Sequence, residues 1–331
     1  MKPEFFQEAP PILQRYLGYL ETVKGKSEKT VTEYYLDLRT FFRYLKVRHH
    51  LVPADTPFEE ISIDDVDLDL IRTVDLTMVF EYLNYVGAVR NNAASTRSRK
   101  VSSLRGFFQY LTTKVHLLDT NPIAELETPK TKTSLPKYLT LEQSMDLLNA
   151  VDGSFKERDY CIITLFLNCG MRLSELVNIN LNDIRRPAPP NLPTVTITGK
   201  GNKERMIYLN DACIQAIDDY LNVRPHDGII DKEALFLSKR KTRISPKTVQ
   251  HMVNENLKKI GLGGPGYSVH KLRHTAATLM YQYGDVDIRV LKDILGHENL
   301  GTTQIYTHIS NQQMADAVSH NPLSTVKKKK K

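Results

Sequence analysis

Cysteine is scarce in this 331-residue chain: Cys161, Cys169 and Cys213 are the only three, too few and too scattered for a disulfide framework or a four-ligand zinc site. That usage fits a reducing compartment, and a cytoplasmic location is expected. Long apolar runs are also missing. The longest, Tyr160 to Leu167, stops at Asn168, well short of the roughly 20 residues a membrane span needs. The opening MKPEFFQEAPP holds two acids and no apolar segment, so neither a secretion signal nor a membrane partner is expected. Neither G-x-x-x-x-G-K-[ST] nor a G-x-G-x-x-G after a strand occurs, which removes the usual cradles for nucleotide phosphates. No internal repeat is visible, and low complexity is confined to a terminal lysine tract. What is present, 41% hydrophobic and 25% charged residues, suffices to bury a core in each of two domains.

Formal net charge is +7, of which Lys327 to Lys331 supply five, so its distribution says more than the total. Residues 1–130 hold 17 basic and 18 acidic side chains, whereas residues 131–331 hold 28 and 20. Nine acids lie from Asp55 to Glu81 with Arg72 as the only base among them. Arg90, Arg97, Arg99, Lys100, Arg105 and Lys114 then follow with no acid before Asp119. A stretch so segregated is built to meet an anion.

Periodicity makes the first 128 residues helical. Val31, Tyr34, Tyr35, Leu38, Phe41, Phe42 and Leu45 recur at three- and four-residue spacing, and Leu13, Tyr16, Leu17 and Leu20 predict a helix before them. Met78 to Val86 predicts a third. A fourth runs from about Ser95 to Thr113, with Val101, Leu104, Phe108 and Leu111 inward and Arg97, Lys100 and Arg105 on its surface. The acidic insert over 51–75 reads as a solvated loop with room for a short helix. Residues 129–137 form a proline-punctuated basic linker, and a second domain follows over 138–322, ahead of a lysine-rich tail over 323–331. Thr140 and Gln143 make a capping box at its first helix. Tyr160 to Asn178 reads as a buried helix turning at Gly170, Thr194 to Thr198 and Arg205 to Leu209 as a hairpin, and Ile288 to Leu295 as a helix ending at Gly296. The fold class is therefore mainly α with a small β-sheet: a helical bundle followed by an α+β domain.

Singly, the chemical candidates are weak. Arg172 and Glu175 in GMRLSEL are an i,i+3 pair that a surface helix carries routinely. Lys200 in GKGNKER sits in a hairpin turn, where a solvated charge is the ordinary reading. His270 and His274 in HKLRH have zinc-like spacing, and a metal-dependent hydrolase is one alternative, but Lys271 stands where H-E-x-x-H carries its glutamate, so no metal is expected. Together, Arg172, Lys200, His270, Arg273, His297 and Tyr306 are what metal-free phosphoryl transfer needs. Arginine forks hold non-bridging oxygens, a lysine or histidine protonates the leaving oxygen, and a tyrosine near cations becomes a nucleophile.

CGMRLSELVNI, ITGKGNKERMIYL, SVHKLRHTAATLM and LKDILGHENLGTTQIYTHI stand in the order found in the tyrosine site-specific recombinases, which this chain resembles over almost its whole length, most closely the Xer-type recombinases that resolve chromosome dimers. The nine-residue step from His297 to Tyr306 is also that family's. The resemblance implies an N-terminal SAM-like core-binding bundle over 1–128 and a recombinase catalytic domain over 138–322. It implies Tyr306 as nucleophile forming a 3′-phosphotyrosyl link, Arg172 and Arg273 clamping the scissile phosphate, and Lys200 as general acid. His270 and His297 complete the pocket, and Glu175 supports it. Expected partners are double-stranded DNA with a palindromic crossover site, a homotetramer or heterotetramer on that DNA resolving a Holliday junction, and a septal DNA translocase; no cofactor is implied. Arg97, Lys100 and Arg105 are the DNA-contact candidates. The proline-rich RRPAPPNLP and the acidic insert depart from the family pattern. A transposon or mobile-element integrase and a non-catalytic DNA-binding regulator are the other readings.

Overall fold

The computed structural model describes residues 3–129, 137–187, 191–199, 204–264, 266–284 and 286–296. The chain divides into two compact units, Met1–Thr133 and Ser134–Lys331.

The first unit is helical: α1 Pro3–Glu8, α2 Pro11–Thr22, α3 Glu28–Arg48, α4 Leu68–Arg72, α5 Leu76–Ala88 and α6 Ala94–Thr113. Ser27 caps α3 by accepting from the Thr30 amide, and Asp75 caps α5 through Met78, as short polar side chains do where a helix leaves its first amides unpaired. The periodic apolar residues meet in an aromatic centre, with Phe41 edge-on to Tyr82 at 5.0 Å between centroids and Phe42 edge-on to Phe107 at 5.7 Å.

Two expectations are corrected here. The acidic insert is not a solvated loop: Ile61, Ile63, Val66, Ile71 and Val74 are buried in or against the bundle, and α4 lies inside it. Its carboxylates meet bases from the bundle, Glu59 taking Arg43 and Arg90 and Asp65 taking Lys46. Its apolar residues are single and irregularly spaced, which hides them from any periodic pattern. Lys100 is not on the surface either. It precedes Leu104 by four residues and Phe107 by seven, on the same inward stripe of α6. It is 6% exposed, and its Nζ donates to Asp37 Oδ1 at 3.0 Å. Arg97 and Arg105 are half-buried. Arg97 donates to the Asn92 carbonyl at 2.8 Å, and Arg105 donates to the Leu126 carbonyl and Thr128 Oγ1.

The second unit comprises α7 Leu141–Asn149, α8 Lys156–Cys169, α9 Leu173–Val177, β1 Ile184–Arg185, β2 Thr194–Thr198, β3 Glu204–Tyr208, α10 Asp211–Val223, α11 Pro246–Lys259, α12 Val269–Tyr283 and α13 Ile288–Leu295. Thr140 and Gln143 form the reciprocal capping box at α7. Helix α8 is apolar on nearly every side, and Cys161 to Leu167 are buried between neighbours that include α10 and α12. The three cysteines are free and buried. Strands order β1-β2-β3, antiparallel throughout, with Val195 opposite Ile207 and Ile197 opposite Arg205. Two-residue β1 is too short to leave a pattern in sequence. Helix α8 ends at Gly170, with φ at +59°. A Cβ there would lie 2.8 Å from Leu295 Cδ2, so this turn needs glycine both for its left-handed backbone and for the close approach of α13. Among the described residues no helix is long and apolar enough to cross a membrane.

Candidate active site

The turn at Gly170 delivers Arg172 to the N-cap of α9. Glu175, one turn on, reaches back to accept the Arg172 backbone amide at 2.7 Å and its Nη1 at 2.7 Å. This is no surface pair: the Glu175 side chain is 1% exposed, while that of Arg172 is 36% exposed. From β3, Arg205 forks onto the same carboxylate, with Nη1 to Oε1 at 2.7 Å and Nη2 to Oε2 at 3.0 Å. Arg273, in the second turn of α12 and 3% exposed, stands 3.9 Å from Glu175 Oε2.

The same three arginines gather the end of α13. Arg205 Nε donates to the Ile294 carbonyl at 3.1 Å, Arg273 Nη2 to Leu295 at 2.6 Å and Arg172 Nη2 to Gly296 at 2.9 Å. A helix C-terminus leaves its last carbonyls unpaired and carries partial negative charge, so guanidinium groups suit it. Arg273 Nη1 also donates to the Gly170 carbonyl at 2.7 Å, fastening α12 to the turn that carries Arg172. Gly296 has φ at +63°, and a Cβ on it would lie 2.9 Å from Arg205 Cζ.

The electrostatic outcome is uneven. Burial alone would push the Glu175 carboxyl up; the Arg205 fork, the Arg172 amide and the Arg172 guanidinium overcome this and hold it down to about 2. Among the described residues one carboxylate thus faces three guanidinium groups, with Arg172 the most open of these to solvent. His270 opens α12 near that charge. Loss of water around its ring, then Arg273, Lys271 and Arg172, hold it below its ordinary value, so it is neutral at pH 7. His274 packs edge-on against it, 4.7 Å between centroids. Among the described residues no three His, Cys, Asp or Glu side chains form a group that could hold a metal. A cluster of this kind is able to hold a phosphodiester anion and stabilise added negative charge on it.

Of the residues singled out in the sequence, Arg172, Glu175, His270 and Arg273 come together. Lys200, His297 and Tyr306 lie outside the described residues; in chain order Lys200 falls in the β2–β3 connection, and His297 directly follows Gly296. Arg205 was not anticipated. Its signal is the alternation of β3, which puts it on the same face as buried Ile207, and an arginine at an inward strand position demands an acidic partner.

Residues 137–313 match the model of the phage integrase family, and residues 13–57 match that of the phage integrase N-terminal SAM-like domain. The chain is 57% identical to tyrosine recombinase XerC of Caldanaerobacter subterraneus subsp. tengcongensis, over 96% of this chain and 90% of that protein. It is 33% identical to tyrosine recombinase XerC of Psychromonas ingrahamii, over 92% and 94%. Its fold is similar to that of a XerH site-specific recombinase bound to palindromic difH substrate in a post-cleavage complex, with TM-score 0.69 and 20% identity over 96% of this chain and 95% of that one. The chain belongs to the phage integrase family and is a Xer-type site-specific tyrosine recombinase.

Proposed function

We propose that this recombinase cuts and rejoins double-stranded DNA at a palindromic crossover site, without metal or nucleotide. The supporting observation is the Glu175 cluster, where, among the described residues, Arg172, Arg205 and Arg273 meet a single carboxylate. In this reading the two arginines hold the non-bridging oxygens of the scissile phosphate. The Tyr306 oxygen attacks phosphorus, the bond to the 5′-oxygen breaks, and Lys200 gives that oxygen its proton. The product is a 3′-phosphotyrosyl link and a free 5′-hydroxyl. Neutral His270 accepts the phenol proton, and His297 hydrogen-bonds the phosphate. Attack by a 5′-hydroxyl from the second duplex reverses the chemistry and exchanges the strand.

The first unit serves as the core-binding domain and the second as the catalytic domain. Arg97 and Arg105 are its candidate contacts to DNA; Lys100, neutralised against Asp37, is not. Two pairs of subunits in a homotetramer or heterotetramer act in turn through a Holliday junction. The cellular role is resolution of chromosome dimers at the nucleoid, in the cytoplasm, with a septal DNA translocase as activator.

The test incubates the protein with a pool of nicked duplexes carrying candidate crossover sites in excess EDTA and seeks an SDS-resistant adduct. The adduct is expected from the native chain and not from Tyr306→Phe. Retarded DNA with no adduct on any duplex would instead favour a binding protein.

A further inference from the structure

The carboxylate of Glu175 is shared. Its Oε1 accepts Arg172 Nη1 and Arg205 Nη1, both at 2.7 Å, and Arg205 also holds Oε2. A carboxylate and a single guanidinium within reach frequently close a two-bond fork. With Arg205 removed, the only other guanidinium near Glu175 among the described residues would be Arg273, 3.9 Å away and already donating to the Gly170 and Leu295 carbonyls. Arg172 would then turn its fork onto Glu175, and its charge would be matched within the site. With Arg205 present, the bonds to Glu175 and Gly296 take two of Arg172's five N–H donors, and the side chain keeps its 36% exposure. The Arg205 side chain is only 16% exposed and faces inward, so it is placed to serve the carboxylate and not a ligand.

We propose that Arg205 is a positioning residue for strand cleavage: it occupies Glu175 and so leaves the Arg172 guanidinium to grip a phosphodiester. The proposal deepens the reading above and rests on Arg172 as a phosphate clamp. Gly296 belongs to the same device, because it leaves the space in which the Arg205 guanidinium lies against the end of α13. Arg205 also fastens β3 to Glu175 and to the Ile294 carbonyl, in the element that follows the connection carrying Lys200.

The discriminating variant is a double one. Arg205→Ala alone leaves Glu175 to capture Arg172; Arg205→Ala with Glu175→Gln removes captor and guard together, keeping an amide oxygen for the Arg172 backbone. If Arg205 only braces the fold, the double variant should be no better than the single one. If it guards Arg172, the double variant should recover. Two readouts are taken on the full chain: the rate of covalent adduct formation on nicked duplexes, and calorimetric affinity for inorganic sulfate, whose oxygens mimic those of the phosphate.

Arg205→Ala is expected to slow adduct formation roughly hundredfold, the scale of losing one preorganised donor. It should weaken sulfate about tenfold, and Arg205→Lys, which keeps the charge without the fork, should fall between. The double variant should return sulfate affinity to within about threefold of the native chain and recover about tenfold of the adduct rate. Equal sulfate affinity in the native and Arg205→Ala chains, no sulfate binding by the native chain, or a folded double variant no better than Arg205→Ala would overturn the proposal. Should no DNA yield an adduct, the recombinase reading fails, and the sulfate comparison still decides the role of Arg205.

Discussion

Each unit buries one carboxylate among several cations, and the two clusters differ in balance. In the first unit Asp37, with a side chain 2% exposed, accepts Lys100, Arg99 and Ser103, and Arg99 also pairs with Glu33, so two bases meet two acids. In the second unit, among the described residues, Glu175 is the one carboxylate that meets Arg172, Arg205 and nearby Arg273. A buried pair with matched charge holds a fold in register, whereas a buried carboxylate with surplus arginines holds those arginines for something else. In the acidic insert Glu59 and Asp65 likewise take bases of the bundle, Arg43, Arg90 and Lys46. The segregated acids of the sequence are thus folded back onto bases of the first unit.

The two clusters should differ most in what their loss does to stability and to cleavage. Asp37→Ala strands the nearly buried ammonium of Lys100 and should cost about 3–5 kcal/mol in urea unfolding, while leaving strand cleavage intact in the protein that folds. Glu175→Ala should cost less stability, about 2–3 kcal/mol, because solvent reaches Arg172, yet it should cripple cleavage. A cleavage defect from Asp37→Ala equal to that from Glu175→Ala would erase the distinction between the clusters.

Acid sharpens it. Glu175 is held down to about 2, below its ordinary value of 4.5, so the unfolded chain binds its proton first. Its contribution is in full force above about pH 4.5 and is lost as pH falls toward 2, amounting to about 3 kcal/mol. Urea midpoints of the native chain and Glu175→Gln should therefore converge between pH 6 and pH 3. A constant gap would place the carboxylate's stabilisation elsewhere.

Gly296→Ala should slow adduct formation about tenfold and cost about 1–2 kcal/mol, through the left-handed backbone and the pressure on Arg205. The smallest effect belongs to the exposed pair Arg72 and Asp69, whose removal should change stability by less than about 0.5 kcal/mol and less still at high salt.

Much of this was legible in the sequence. The helices of the bundle announce themselves because one face of each is apolar at the helical period. Arg172, Glu175, His270 and Arg273, which the fold brings together, stand out in the sequence because their local motifs combine in a characteristic order. What escaped depends on contacts distant in sequence. Lys100 reads as one more base on a basic helix until Asp37, 63 residues earlier, takes its charge. Arg205 reads as an ordinary strand residue until Glu175, 30 residues away, shows why an arginine should face inward. The insert hid its core residues because Ile61, Ile63, Val66, Ile71 and Val74 follow neither a helix nor a strand period.

In the proposed reaction the arginines held at Glu175 support metal-free attack by Tyr306 on a DNA phosphate. The most direct measurement is mass spectrometry of the adduct formed in excess EDTA, after nuclease and protease digestion. The expected product is a nucleotide joined through its 3′-phosphate to the peptide containing Tyr306. A nucleotide on any other residue, or DNA cut with no covalent peptide at all, would contradict it.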